Sequence, residues 1–389
     1  MPVNNAIVGD LAEITGWRRA LHQMPELLYD VHDTAAFVAA KLTEFGCDSV
    51  VSGIGGTGVV ATIRGRLGDS DRAIGLRADM DALPIAEETG APYASRIPGR
   101  MHACGHDGHM AMLLGAARSL AGTRHFDGTA VIVFQPAEEG GGGAKAMIED
   151  GLFDRFPVEA IYGMHNLPGL AVGTFGIRPG PIMASTDEFE ITISGRGGHA
   201  AMPHKTIDPI VVGAALVQAL QQVAARNADP LDSVVLSVTQ FHAGFVHNVI
   251  PQTALVSGTV RSLRAETRDL AERRINEIAA GISAAHGAEA SVFYDRNYPV
   301  TMNAPTAADF CGVIAASVAG PDRVDAAAPP LMGGEDFSYM LEEKPGALIF
   351  LGNGDTAALH HPAYDFADEA IPFGASYWIQ LVETALKPA

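Results

Sequence analysis

Cysteine is scarce in this sequence of 389 residues: there are three, Cys47, Cys104 and Cys311, odd in number and far apart. That excludes a disulfide framework and points to a reducing compartment, the cytoplasm. Long apolar runs are missing as well. The best, over residues 210–220, is interrupted by Gln218 and falls short of the ~18–20 residues a membrane helix needs, so no membrane partner is expected. The opening residues, MPVNNAIVGDLAEI, have no basic stretch leading into an apolar one, and no secretory signal is read there. Positive charge is in deficit: 26 Lys and Arg face 45 Asp and Glu, a formal net charge of −19. A surface that acidic repels phosphate backbones and anionic lipid, which argues against a nucleic-acid partner.

What is present supports a packed core. Hydrophobic residues make up 48% and charged residues 18%, a balance that excludes disorder. At about 150 residues per domain, the length predicts two domains. Apolar spacing predicts a helix over 34–45, stopped by Gly46, then strands over 58–64 and 73–78. A helix over 108–120, a strand over 129–134, a short helix over 144–149 and a strand over 160–164 follow. Strands alternating with helices predict a central, mostly parallel sheet.

The pattern changes after RPGPIMAS. Residues 188–194 (EFEITIS) alternate apolar and polar, as a half-exposed antiparallel strand does. A helix over 210–226, strands over 233–240 and 254–261, a helix over 267–286 and a strand over 290–294 complete a β-α-β-β-α-β layout. A strand over 347–351 and a helix over 376–386 return to the first pattern. The expected fold is therefore α/β. A larger domain (1–186 and 297–389) has a central mostly parallel sheet flanked by helices. A two-layer β-α-β-β-α-β domain (187–296) is inserted into it.

Two glycine motifs are dismissed. Gly53-Ile-Gly55-Gly-Thr-Gly58 satisfies G-x-G-x-x-G, but a strand pattern follows it where a dinucleotide site needs a helix. Gly140–Gly143 before Lys145 lacks the hydroxyl residue of a P-loop, and Glu138-Glu139 directly before it repels phosphate.

Candidate metal ligands cluster at strand-to-loop junctions: Asp79-Met-Asp81, His102-Ala-Cys104-Gly-His106, Glu138-Glu139, His165 and His360-His361. In an open α/β sheet such positions converge beyond the carboxyl ends of the strands. Thiolate, imidazole and carboxylate together suit zinc or a related transition metal. His109, one turn after His106, is expected to pack or to support a ligand rather than bind metal. Glu138 and Glu139 follow an apolar strand; on an extended backbone their side chains point oppositely, one to metal and one to a bound water.

The runs GLRADMDALPI, MHACGHDGH, FQPAEEGGGGA, MHN, SGRGGHAAMPH, NVIP, MGGEDFSYM and LHHPAYDFADEAIP resemble the M20 metallopeptidase family, in its branch of N-acyl-amino-acid amidohydrolases and hippurate hydrolases. The resemblance runs from about residue 17 to residue 377. It implies a metal-binding catalytic domain, an inserted lid and dimerisation domain, and a homodimer or higher homo-oligomer. It also implies two divalent metal ions (Zn, Mn, Co or Ni) held by Cys104, His106, Glu139, His165 and His360, with His361 the runner-up to His360. Glu138 matches the general base. His199 matches a residue reached from the partner's lid to steady the oxyanion, and Asn248 and Arg261 match positions that hold a substrate carboxylate. Asp79-Met-Asp81 stands where many relatives have His-x-Asp, which makes Asp81 an orienting residue. The expected substrate is a small N-acyl or N-aroyl amino acid such as N-benzoylglycine. An aminoacylase or dipeptidase of the same fold, and a non-catalytic small-molecule binder, are the competing readings.

Overall fold

Strand Thr129–Gln135 (TAVIVFQ) is buried along nearly its whole length, and a strand covered on both faces has to be apolar at every position. It belongs to an eight-stranded sheet in the computed structural model, which describes residues 3–388. Met1, Pro2 and Ala389, outermost in the expected larger domain, lie outside the described residues. The strand order is Ser49–Ile54, Gly58–Arg64, Thr129–Gln135, Ala73–Asp79, Ala160–Leu167, Gly346–Gly352, Phe175–Gly176, Val324–Asp325. Thr129–Gln135, Ala73–Asp79, Ala160–Leu167 and Gly346–Gly352 run parallel to one another. Antiparallel strands flank this centre, Gly58–Arg64 on one side and Phe175–Gly176 on the other. The fold is α/β with a mostly parallel central sheet, as the alternation predicts. Ser49–Ile54 and Gly58–Arg64 form a hairpin closed by Gly55 and Gly56 at φ +62 and +97. The G-x-G-x-x-G run is thus a turn with strands on both sides.

The two faces of the sheet are filled differently. Ala130, Ile132 and Phe134 share one continuous core with Ile74, Leu76 and Ala78. Helices Asn5–His22, His32–Glu44, His106–Thr123, Pro305–Ala319 and Ile371–Ala385 contribute to that core. The first of these helices is not signalled by the periodicity used above. Helix His106–Thr123 is buried all round through its first three turns, consistent with a helix enclosed between sheet and outer helices. Short helices Gly143–Glu149 and Phe337–Glu343 pack against Thr129–Gln135 and Ala160–Leu167.

The chain divides into two compact units, one of Met1–Ile182, Met302–Pro329 and Asp336–Ala389, the other of Met183–Thr301 and Pro330–Glu335. In the second, a four-stranded antiparallel sheet has the order Val234–Ala243, Thr253–Ser262, Ser185–Ser194, Glu289–Arg296. Phe189, Ile191 and Ile193 alternate with solvent-facing Glu188, Glu190 and Thr192. Their inward face meets Val212 and Leu216 of helix Pro209–Leu220, and Ala271, Ile275 and Ala279 of helix Ala265–Ala285. The helix expected over 210–226 is α-helical only to Leu220; residues Val223–Asn227 form a π turn. Residues 330–335 join this unit through hydrogen bonds no local pattern signals: the Leu331 and Gly333 carbonyls accept the Ala184 N–H. Among the described residues no helix is long and apolar enough to cross a membrane.

Candidate metal centre

The parallel strands place their carboxyl ends side by side. Asp79 pairs with Gln135, and Arg77 pairs with Gly163 two residues before His165, so the segments that follow these strands gather in one place. Cys104 and His106 reach it from the start of helix His106–Thr123, with Gly105 between them at φ +85. A side chain at Gly105 would collide with the Asn166 amide and the Tyr364 hydroxyl, so only glycine allows this approach.

Glu138 and Glu139 sit in a turn, not on extended backbone. Ala137 is left-handed at φ +55, and the Asp81 carboxylate accepts the Glu138 N–H at 2.9 Å and the Glu139 N–H at 3.1 Å. The opposite-direction argument from strand geometry therefore fails. The turn instead brings ligand atoms of both acids within 4.8 Å of each other and of His106. His360 is also left-handed, at φ +64, with its N–H donated to the Ala103 carbonyl at 2.8 Å.

Two triads share one thiol: Cys104 with His106 and His165, all buried, and Cys104 with half-buried Glu139 and exposed His360, each with its ligand atoms within 4.8 Å of one another. His361 points elsewhere, its Nδ1 accepting the Ala363 N–H at 3.0 Å. The partners of each ring prepare it for a cation. His106 donates Nδ1–H to the Asp81 carbonyl at 2.7 Å, and His165 donates Nδ1–H to the Asn166 carbonyl at 2.6 Å. Both rings thus commit Nδ1 outward and turn Nε2 to the centre, as imidazole ligands held by an outer acceptor do. His106 Nε2 is buried without a hydrogen bond, a costly state for a polar atom unless something binds there, and Glu139 Oε1 faces the His360 Nε2 at 3.3 Å.

Electrostatics point the same way. Burial, then Glu139, Glu138 and Asp79, holds the Cys104 thiol well above its usual range. Burial opposes charge on His106, yet Asp79, Asp81 and Glu139 outweigh it and push the ring up to about 10. Burial and then His109 push His165 down to about 3. The negative charge gathered here asks for a cation, and a thiol that resists ionising alone ionises readily when a metal takes its electron pair. The donor set fits two divalent ions.

The remaining expected residues lie in the smaller unit. His199 pairs with Val249 in a two-stranded ladder, exposed, and Asn248 lies beside it with its carbonyl accepting the Ala200 N–H at 3.0 Å. Arg261 is half-buried on Thr253–Ser262, a strand with neighbours on both sides.

Sequence reasoning passed over a buried network behind the centre. His22 donates Nδ1–H to Asp107 at 2.8 Å and Nε2–H to Glu87 at 3.3 Å, with Arg18 on the same Asp107 at 3.4 Å. Tyr93 and His102 are its other polar ring neighbours, with centroids at 5.9 and 6.3 Å. Burial works against the His22 charge, but Asp107 and Glu87 prevail and raise it from 6.5 to about 9. A raised folded-state value means the stabilisation is complete below the unfolded value of 6.5 and disappears as pH rises through about 9. We predict that wild type loses roughly 3 kcal/mol of stability over that window, and that His22→Gln flattens the loss. Thermal midpoints from pH 6 to 10 check this, and parallel curves for the two proteins would refute it.

The profile of "Peptidase family M20/M25/M40" matches residues 75–384. A hippurate hydrolase of Campylobacter jejuni is 44% identical over 370 residues, 95% of this chain and 96% of its own length. An N-acetyl-L-cysteine deacetylase of Bacillus subtilis is 42% identical over 370 residues, 94% of this chain and 86% of its own length. Among solved structures, a Bacillus subtilis dinuclear metal-binding peptidase of the M20 family superposes with a TM-score of 0.85 at 35% identity, covering 97% of this chain and 99% of that one.

Proposed function

The chain belongs to peptidase family M20/M25/M40 and is a hydrolase of amide bonds, and from that premise we propose that it cleaves N-acyl or N-aroyl amino acids, N-benzoylglycine foremost, to a carboxylic acid and a free amino acid. The observation that carries this reading is the pair of ligand triads sharing Cys104, with the Glu138 carboxylate against them. In it Cys104, His106, Glu139, His165 and His360 hold two divalent ions, zinc, manganese, cobalt or nickel according to supply. Such ions supply Lewis acidity and make water acidic enough to yield hydroxide near neutral pH.

The rest is done by side chains. Glu138 accepts a proton from the attacking water and returns it to the departing amine, acting as base and then as acid. Asp81 holds Glu138 in place through its backbone N–H. His199 donates to the oxyanion from the lid of a second subunit, and Arg261 with Asn248 receives the substrate carboxylate, for which a guanidinium fork is suited. The lid supports a homodimer or higher homo-oligomer: Val234–Ala243 is paired on one side only, and Phe245 just beyond it is 81% exposed. An unpaired edge beside exposed apolar surface is a template for another copy. The three free cysteines suit the cytoplasm.

The deciding experiment is hydrolysis of a substrate panel by chelator-stripped protein with each metal added back. We expect no turnover without metal and restored cleavage of N-benzoylglycine with it. Preference for N-acetyl amino acids, as the near-equal similarity to a deacetylase allows, would change the acyl group and keep the reaction. Cleavage of free dipeptides alone would replace the reading by a peptidase. Silence on every substrate with two ions bound would leave a binding protein.

A further inference from the structure

The wedge between the ligand rings is a third histidine that binds no metal in this scheme. His109 stacks on His106 at 5.5 Å and 29° and meets His165 edge-on at 4.7 Å. Both of its nitrogens are taken. Nδ1–H donates to Asp79 Oδ1 at 2.7 Å, and Nε2 accepts the Asn166 backbone N–H at 2.9 Å. The Asp79 carboxylate can only accept, since Arg77 donates to its other oxygen at 2.8 Å. The His109 proton is therefore on Nδ1, and Nε2 offers a lone pair to Asn166. Although Asp79, His106 and His109 bring ligand atoms within 4.8 Å, these hydrogen bonds make them a closed cluster rather than a third metal position.

Asn166 passes this constraint to two ligands of one triad. Its carbonyl accepts the His165 Nδ1–H at 2.6 Å, and its side-chain amide donates to the Cys104 carbonyl at 2.6 Å. Tyr364 anchors the same amide, donating to its oxygen at 2.8 Å. We infer that His109 is a positioning residue for one of the two metal positions, the one formed by Cys104, His106 and His165. Through Asn166 it sets the ring of His165 and the backbone of Cys104, while its own ring spaces His106 from His165. Its reach to His360 is less direct, through the Cys104 backbone and the neighbouring Ala103 carbonyl that accepts the His360 N–H at 2.8 Å, so the Cys104–Glu139–His360 position, which shares the Cys104 thiol, loses less. This rests on the two-ion reading proposed above.

The test is zinc binding to the stripped protein against a competing chelator, which resolves the two affinities without using activity. In His109→Leu we expect one affinity to fall about 10–100-fold, the usual cost of losing an outer partner of a ligand, and the other to fall distinctly less. His109→Gln, whose amide can donate to Asp79 and accept from Asn166, should recover most of the loss. Should His109→Leu fail to fold, His109→Asn, too short to span both partners, takes its place. Adding His165→Ala to either should cost little more than His165→Ala alone, because both act on one position. Unchanged affinities, equal loss in the Gln variant, or loss that adds fully to His165→Ala would overturn the assignment. Wild type binding fewer than two zinc ions would overturn the two-ion reading first, and is distinguished by appearing before any substitution is made.

Discussion

Glu138→Gln is expected to lower kcat by roughly 10²–10⁴-fold, the span attributed to a positioned general base, with zinc content unchanged. The substitution keeps the size of the side chain and removes its basicity. It also keeps the turn, because what ties that turn to Asp81 is backbone: the Glu138 and Glu139 N–H groups on the two oxygens of one carboxylate. The side chain is only 6% exposed, so bulk water does not replace it as proton carrier. Glu139→Gln provides the contrast. Its acid belongs to the Cys104–Glu139–His360 triad, so that variant should lose bound metal along with activity. Steady-state rates paired with metal analysis separate the two cases. Wild-type turnover in Glu138→Gln at full metal occupancy would remove the base from the mechanism.

The largest stability effect is expected at Arg77. Its guanidinium, 1% exposed, donates Nη1–H to Asp79 at 2.8 Å, Nη2–H to Asp336 at 3.0 Å and Nε–H to Gln135 at 2.8 Å. Asp336 in turn accepts from Gln135 and from the Ala144 N–H at 2.9 Å. One cation thus ties the ends of two central strands to the start of helix Phe337–Glu343. Arg77→Met fills similar volume but strands two buried carboxylates without their cation, which costs about 3–5 kcal/mol when one partner of a buried pair is removed. Arg77→Lys should recover only part, since an ammonium cannot present a planar fork to three acceptors. Both tryptophans, Trp17 and Trp378, are in the larger unit and buried, so their fluorescence during urea unfolding follows that unit alone. A midpoint unchanged in Arg77→Met would show that the network contributes nothing net.

Much of this protein is legible along the chain. Continuous apolarity in TAVIVFQ announces a strand buried on two faces, and alternation in EFEITIS announces one buried on a single face; both follow from side-chain period and burial, which are local. A candidate donor set is legible too, because cysteine, histidine and glutamate at successive strand ends form an unusual grouping, and the fold brings them together in threes. So is the turn at Gly53–Gly58, whose G-x-G-x-x-G pattern lies between two strands. Composition alone set the acidic net charge, a sum over residues that needs no coordinates.

Other features depend on residues that meet only after the sheet is assembled. The strand order, which places Ala73–Asp79 between Thr129–Gln135 and Ala160–Leu167, is not written in any single strand. Arg77 and Asp336 are 259 positions apart, Tyr364 and Asn166 are 198 apart, and neither pair leaves a spacing to read. The left-handed turn at Ala137, which turns both Glu138 and Glu139 toward the centre, runs against the local preference of alanine and is sustained by its surroundings. His109 looks from its helix position like any packed ring, and its place between the His106 and His165 rings follows from Asp79 on one side and Asn166 on the other. The reason is common to all of these. Local patterns report how each residue meets water, whereas the tautomers, rotamers and strained backbone of the centre are set by hydrogen bonds that close across the folded sheet.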